Sequence, residues 1–196
     1  MSEGDQPSSA TPNSAKRADA RRNEKALLDA AASVFVIDGV DAPVRRIAAK
    51  AGVGVGTIYR HFPTRADLVL AVYRHQVDAC AEAGPTLLAT AASPFDALCQ
   101  WADLFMEFLA TKHGLAAAMR NDPDGFTALH KLFLDRLVPA LADIIRAARN
   151  AGEVTTDVTA YQLIRAIGDI CAGGEVADPH YDARLTIRLL LDGCRR

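Results

Sequence analysis

Apolar residues recur along almost the whole chain at intervals of three and four, the spacing of one face of an α-helix. The first stripe, Leu27, Leu28, Ala31, Val34 and Phe35, predicts a helix from about Ala18 to Ile37. Asp38-Gly39 ends it, the Gly supplying a left-handed cap. Ala42-Pro43 opens a second helix with Val44, Ile47, Ala48 and Ala51 inward and Arg45, Arg46 and Lys50 outward, and Gly52 stops it. A short third helix covers Val55 to Phe62. Pro63 closes that helix, and Thr64 is placed to cap a fourth, from Arg65 to about Ala83. Gly84-Pro85 predicts a break. The remainder reads as five or six helices, strongest at Pro94–Thr111, Gly125–Ala151, Val158–Cys171 and Asp182–Cys194. Breaks fall from Asn121 to Gly125, at Gly152, and from Gly173 to Pro179. No strand-like alternation and no repeat is visible. The pattern therefore predicts an all-α fold: three N-terminal helices over 18–65, and a fourth joining them to a larger helical domain, 66–196. Residues 1–15 carry Ser, Pro, Ala and Asn with almost no bulky apolar groups, so a tail, 1–17, is expected to be disordered.

Composition supports helices. Half the chain is hydrophobic but only 6% is aromatic, and Ala runs through nearly every segment. Ala loses little entropy in a helix and fits poorly on a pleated surface. No apolar run approaches the roughly 20 residues needed to cross a bilayer, and the N-terminus lacks the charged start and apolar stretch of a secretory signal. A cytoplasmic protein with no membrane contact is expected. Cys80, Cys99, Cys171 and Cys194 are widely spaced, without zinc-ligand spacing, and read as small apolar residues; no metal or cofactor is expected.

Charge changes the picture. The net charge of -2 argues against nucleic acid, but its distribution does not. Residues 16–65 hold ten Lys or Arg against five acids, whereas residues 66–196 hold twelve against seventeen. A basic segment on an acidic body is the footprint of a domain that meets phosphate. Lys16, Arg17, Arg21, Arg22 and Lys25 are either a solvated helix start or an arm reaching adjacent DNA.

Residues 43–62, PVRRIAAKAGVGVGTIYRHF, give that basic segment a form. A helix-turn-helix needs a small residue where its two helices touch and Gly at the bend, and Ala48 and Gly52 meet both demands. Ile47, Val53 and Ile58 supply the apolar plug. The next helix begins Gly54, Val55, Gly56, Thr57, lacking the bulk that would keep its backbone from a major groove. Arg45, Arg46, Lys50, Arg60 and His61 surround it with donors.

The run A-x-x-A-G-V-x-V-G-T-I-Y-R-H-F-P-x-R-x-x-L from Ala48 to Leu68 resembles the DNA-binding signature of the tetracycline-repressor (TetR) family. With the preceding helix the resemblance covers about residues 20–75. It implies that Thr57, Tyr59 and His61 touch the phosphate backbone, with Val55 and Gly56 nearest the base edges. It implies a backbone or base contact for Arg45 and a phosphate contact for Arg65; Arg46 lies on the same helix as Arg45. By the same resemblance Phe62 is core, while Tyr59 has its ring packed and its hydroxyl on phosphate. Gly54 departs from the family pattern, standing where Ser or Thr often caps the recognition helix, at a cost of a few tenths of a kcal/mol. Val55 and Gly56 offer few hydrogen bonds to bases, so specificity is expected to lean on Arg45, Thr57 and DNA shape.

The resemblance further implies a C-terminal domain that dimerises and houses a small-molecule pocket. Tyr161, Leu163, Ile164, Ile167, Ile170 and Cys171 line one of the last two helices. Leu185, Ile187, Leu189, Leu190 and Leu191 leave the other apolar on more than half its circumference, more than one core needs. These two are the expected homodimer elements. Candidates for a small apolar or aromatic ligand are Trp101, Phe105, Met106, Phe126, His130, Phe133, Arg165 and Asp169. The aromatic and Met stripes read equally as core, and Arg165 and Asp169 as an i,i+4 pair. The expected function is a dimeric repressor released from a palindromic operator by a ligand. The other reading is a DNA-bound dimer whose body contacts a protein partner and senses no small molecule. No phosphate loop, H-E-x-x-H or G-x-S-x-G is present, so no enzyme is expected.

Overall fold

The computed structural model describes residues 12–111, 123–173 and 180–195. They form α1 (Pro12–Asp38), α2 (Val44–Ala51), α3 (Val55–His61), α4 (Arg65–Thr90), α5 (Pro94–Thr111), α6 (Pro123–Asn150), α7 (Ala160–Gly173) and α8 (Ala183–Asp192). The fold is all-α, and among the described residues there is no strand. A lone antiparallel bridge joins Val154 to Arg195 and fastens the end of the chain to the α6–α7 connection.

Two boundaries differ from the sequence pattern. α1 begins at Pro12, so residues 12–17 of the expected tail are helical. Pro suits the first helical position, and Ala15, Lys16, Arg17 and Ala18 are strong helix formers that need no apolar stripe. The rest of that tail, 1–11, lies outside the described residues, as does any helix within 112–122. At Gly84-Pro85 the expected break is absent: α4 runs through to Thr90 with Pro85 inside it. Packing outweighs the single hydrogen bond that Pro85 forgoes. Gly84 is buried against α6, where a Cβ would lie 3.7 Å from the Ala140 carbonyl, an ordinary van der Waals contact, so α4 stays packed on α6 across the Gly-Pro pair. Nearby, the Trp101 indole N–H donates to the Cys80 carbonyl at 3.0 Å, tying α5 to the same stretch of α4.

α4 is shared by both domains. It packs on α1 at one end and on α5 and α6 at the other. Its start is fixed by a capping box, with Thr64 accepting from the Asp67 N–H and Asp67 accepting from the Thr64 N–H. In the body, Trp101 stacks on Phe105 at 5.3 Å between ring centroids, Phe105 and Phe108 both meet Phe133 at 5.9 Å, and Tyr73 of α4 sets its edge on Phe108. α7 and α8 are antiparallel, since the Tyr181 hydroxyl before α8 donates to the Ile170 carbonyl near the end of α7. All four cysteines are free thiols. Burial pushes the Cys80 thiol up to about 12 and raises those of Cys99 and Cys171, so they behave as apolar filler.

Candidate nucleic-acid interface

α2 turns its apolar stripe inward, burying Ile47 and Ala48, and ends at Gly52 with φ 68°, a left-handed conformation that favours glycine. The Val53 N–H then donates to the Ala48 carbonyl at 3.0 Å, closing the turn. Gly54 takes up the extended N-cap position of α3 without a side-chain cap. α3 is anchored by one residue, Ile58, which is 1% exposed. The rest of this short helix faces outward: Val55 is 40% and Tyr59 49% exposed, Gly56, Arg60 and His61 are exposed, and Thr57 is half-buried. Phe62, just after it, is buried.

Gly56 is informative. A Cβ at this position would meet nothing within 4 Å, and its φ is not positive. Neither packing nor backbone strain inside the chain requires a glycine there, although glycine in a helix costs about 0.5–1 kcal/mol relative to alanine. Its bareness clears space for something outside.

The basic residues divide into two groups. Arg45 and Lys50 are exposed on α2 and form no ion pair among the described residues. Arg60 lies back along α3, donating to the Thr57 hydroxyl at 3.1 Å and to the Gly56 carbonyl at 3.4 Å, so it steadies the hydroxyl it touches. Arg46 is held by Asp38 at the end of α1, 2.6 Å away. Arg65 turns into the domain: its Nε donates to the Val40 carbonyl at 2.8 Å, a second N–H donates to the same oxygen, and the guanidinium lies 5.2 Å from the centre of the Phe35 ring. Burial lowers the Arg65 pKa, and Asp41 opposes the shift. Arg45 on α2 and Val55, Gly56, Tyr59, Arg60 and His61 on α3 are exposed, with Thr57 half-buried among them. Arg46 and Arg65 are engaged elsewhere. Sequence reasoning missed their partners, Asp38 and the Val40 carbonyl, because no helical spacing reveals contacts that cross a turn and span eight and 25 residues.

The proposed ligand residues are not gathered round a cavity. Trp101, Phe105 and Phe133 are buried in the aromatic stack, and Met106 packs half-buried against the core. His130 lies exposed over Phe133, and the Phe126 side chain falls outside the described residues. Arg165 and Asp169 face outward on α7 and pair with each other at 3.3 Å. Open space lies elsewhere: a groove of about 410 Å³ between α4 and α6 at Gly84 and Ala140, and a notch of about 370 Å³ between α7 and α8 at Leu163 and Leu190.

Residues 27–72 match a family profile described as bacterial regulatory proteins of the tetR family, and residues 93–196 match one described as the C-terminal domain of SbtR-like transcriptional regulators. A TetR transcriptional regulator of solved structure from Streptomyces coelicolor is 36% identical, with 88% of this chain and 98% of that one aligned at a TM-score of 0.73. A TetR transcription regulatory protein from Mycobacterium vanbaalenii is 30% identical over 92% of this chain and 99% of its own, with a TM-score of 0.65. HTH-type transcriptional regulators of Staphylococcus aureus are 36% identical over 63 residues, 32% of this chain. That match spans about a third of the length of those curated relatives (34%).

Proposed function

This chain belongs to the TetR family of DNA-binding transcriptional regulators, and on that premise we propose that it works as a dimeric repressor on a palindromic operator. α3 enters the major groove. Val55 and Gly56 lie nearest the bases, Thr57, Tyr59 and His61 meet phosphate, and Arg45 adds a contact from α2. The observation that carries this reading is the outward face of α3, where Tyr59 is half-exposed and Gly56 leaves space that no part of the fold uses.

Dimerisation through α7 and α8 is supported by apolar side chains left in solvent: Leu185 at 56%, Leu189 at 64% and, on α7, Tyr161. A second copy related by a two-fold axis would cover them and set the two α3 helices one DNA turn apart, roughly 34–36 Å. No helix among the described residues is long and apolar enough to cross a membrane, and we place the protein in the cytoplasm with its DNA.

A small apolar or aromatic ligand would release the repressor by parting the aromatic stack. Tyr73 of α4 lies buried at its edge. A ligand that prefers the parted state would tilt α4 and separate the recognition helices; equal preference for both states would shift nothing. The closed packing of Trp101, Phe105 and Phe133 favours a second reading, in which the body contacts a protein partner.

Selection of bound duplexes from a random-sequence pool tests the reading. Enrichment of a palindrome with half-sites about one turn apart, bound by an even number of protomers, is the expected result. No enrichment would overturn it.

A further inference from the structure

Arg65 is the first residue of α4, yet its side chain serves the domain behind it. The capping box of Thr64 and Asp67 fixes the turn from which it departs. From there the guanidinium reaches the turn between α1 and α2, where two of its N–H groups share the Val40 carbonyl and its face covers Phe35. Val40 and Phe35 are both buried, so this carbonyl has little water to replace the arginine. Ten residues further along α4, His75 meets Asp29 of α1 at 2.6 Å, with Leu68, Val69 and Val72 buried between the two polar ties. α1 and α4 thus lie antiparallel along a fastened seam. Beyond it α4 runs into the body, where Arg136 of α6 pairs with Asp78 at 2.8 Å.

We propose that Arg65 is a positioning residue that locks the α1–α2 turn to the first turn of α4, so that the tilt of α4 is passed to α2 and α3. It makes no phosphate contact of its own. A planar fork is what the task needs: two parallel donors meet one carbonyl while the flat face lies on a ring, which an ammonium cannot reproduce. Two of its five N–H donors and one face of its plane are committed to the turn, so the guanidinium is held at a fixed place instead of following a phosphate. The proposal rests on the reading that α3 binds the operator.

Salt dependence separates a positioning residue from a phosphate contact, because each neutralised phosphate contributes about 0.9 to the slope of log affinity against log salt. Binding of the selected operator and of a random duplex is measured across a salt series for wild type, Arg65→Lys, Arg65→Met and Arg45→Ala. Both Arg65 variants should lose on the order of tenfold in operator affinity, the scale of a lost base contact. Their salt slope and random-duplex affinity should stay unchanged. Arg45→Ala calibrates a surface cation by lowering the slope. Should the Arg65 variants not fold, Phe35→Leu removes the ring and keeps the cation; it too should lower operator preference without changing the slope. Wild-type behaviour of Arg65→Lys, with a lowered slope in Arg65→Met, would overturn the proposal, as would wild-type operator preference in every variant at positions 65 and 35. A wild-type protein that selects no operator would instead overturn the DNA-binding reading beneath it.

Discussion

α3 spans seven residues and buries only Ile58, whereas α5 spans eighteen and buries Phe95, Leu98, Trp101, Phe105 and Phe108 among others. Both carry aromatic residues, and they use them in opposite ways. Tyr59 stands half in solvent on a helix too short to be stable alone, since isolated helices below about 12–15 residues are marginal in water. Trp101 and Phe105 are fully buried, and the indole N–H is satisfied by the Cys80 carbonyl. α5 holds the molecule together. α3 is held in place by α2 and presents a face that the fold does not need. An exposed aromatic beside an unexplained glycine therefore says more about function than a buried stripe of larger aromatics.

The contrast is broken most readily at its stable side. Trp101→Ala should cost about 3–5 kcal/mol in unfolding free energy, read from denaturant titration; a loss below about 1 kcal/mol would mean the stack is a loose pocket wall. Next in size, Leu185→Asp with Leu189→Asp should weaken self-association by about 2 kcal/mol or more while leaving helicity and the monomer's stability intact. Sedimentation would show the shift to monomer, and an unchanged dimer would place the interface elsewhere. Gly56→Ala sharpens the comparison because its two effects have opposite signs. The protein should become more stable, by up to about 0.5–1 kcal/mol, as glycine leaves the first turn of α3, and its operator affinity should fall; unchanged affinity would remove the reason given for the glycine. Smallest of all, Arg165→Ala should change stability by less than about 0.5 kcal/mol, because it breaks only an exposed i,i+4 pair. A larger loss would show a partner beyond Asp169.

The helix-turn-helix was legible because its demands are local. Ala48, Gly52, Val53 and Ile58 lie within eleven residues, and each is required by the geometry of one tight turn. The fates of Arg46 and Arg65 were not legible, since an outward position on a helical wheel says nothing of an Asp38 or a Val40 carbonyl that folding brings alongside. The same holds for Gly84-Pro85. Its local preference is to break a helix, but contact with Ala140 and the Trp101 bond one turn earlier keep α4 continuous. The start of α1 escaped because Ala, Lys and Arg form a helix without an apolar stripe to announce it. In the body, periodicity identified Trp101, Phe105 and Phe133 as one helical face after another, yet core and cavity wall share that signature. Only the packed rings distinguish the two.

The central claim is that the exposed face of α3 reads DNA. Its most direct test is a salt series of binding to selected palindromic and random duplexes by wild type and the Thr57→Ala, Tyr59→Ala double variant. The account predicts tight, selective, steeply salt-dependent binding by wild type, and loss of selectivity in the variant without loss of helicity. Equal binding by the two proteins would contradict it.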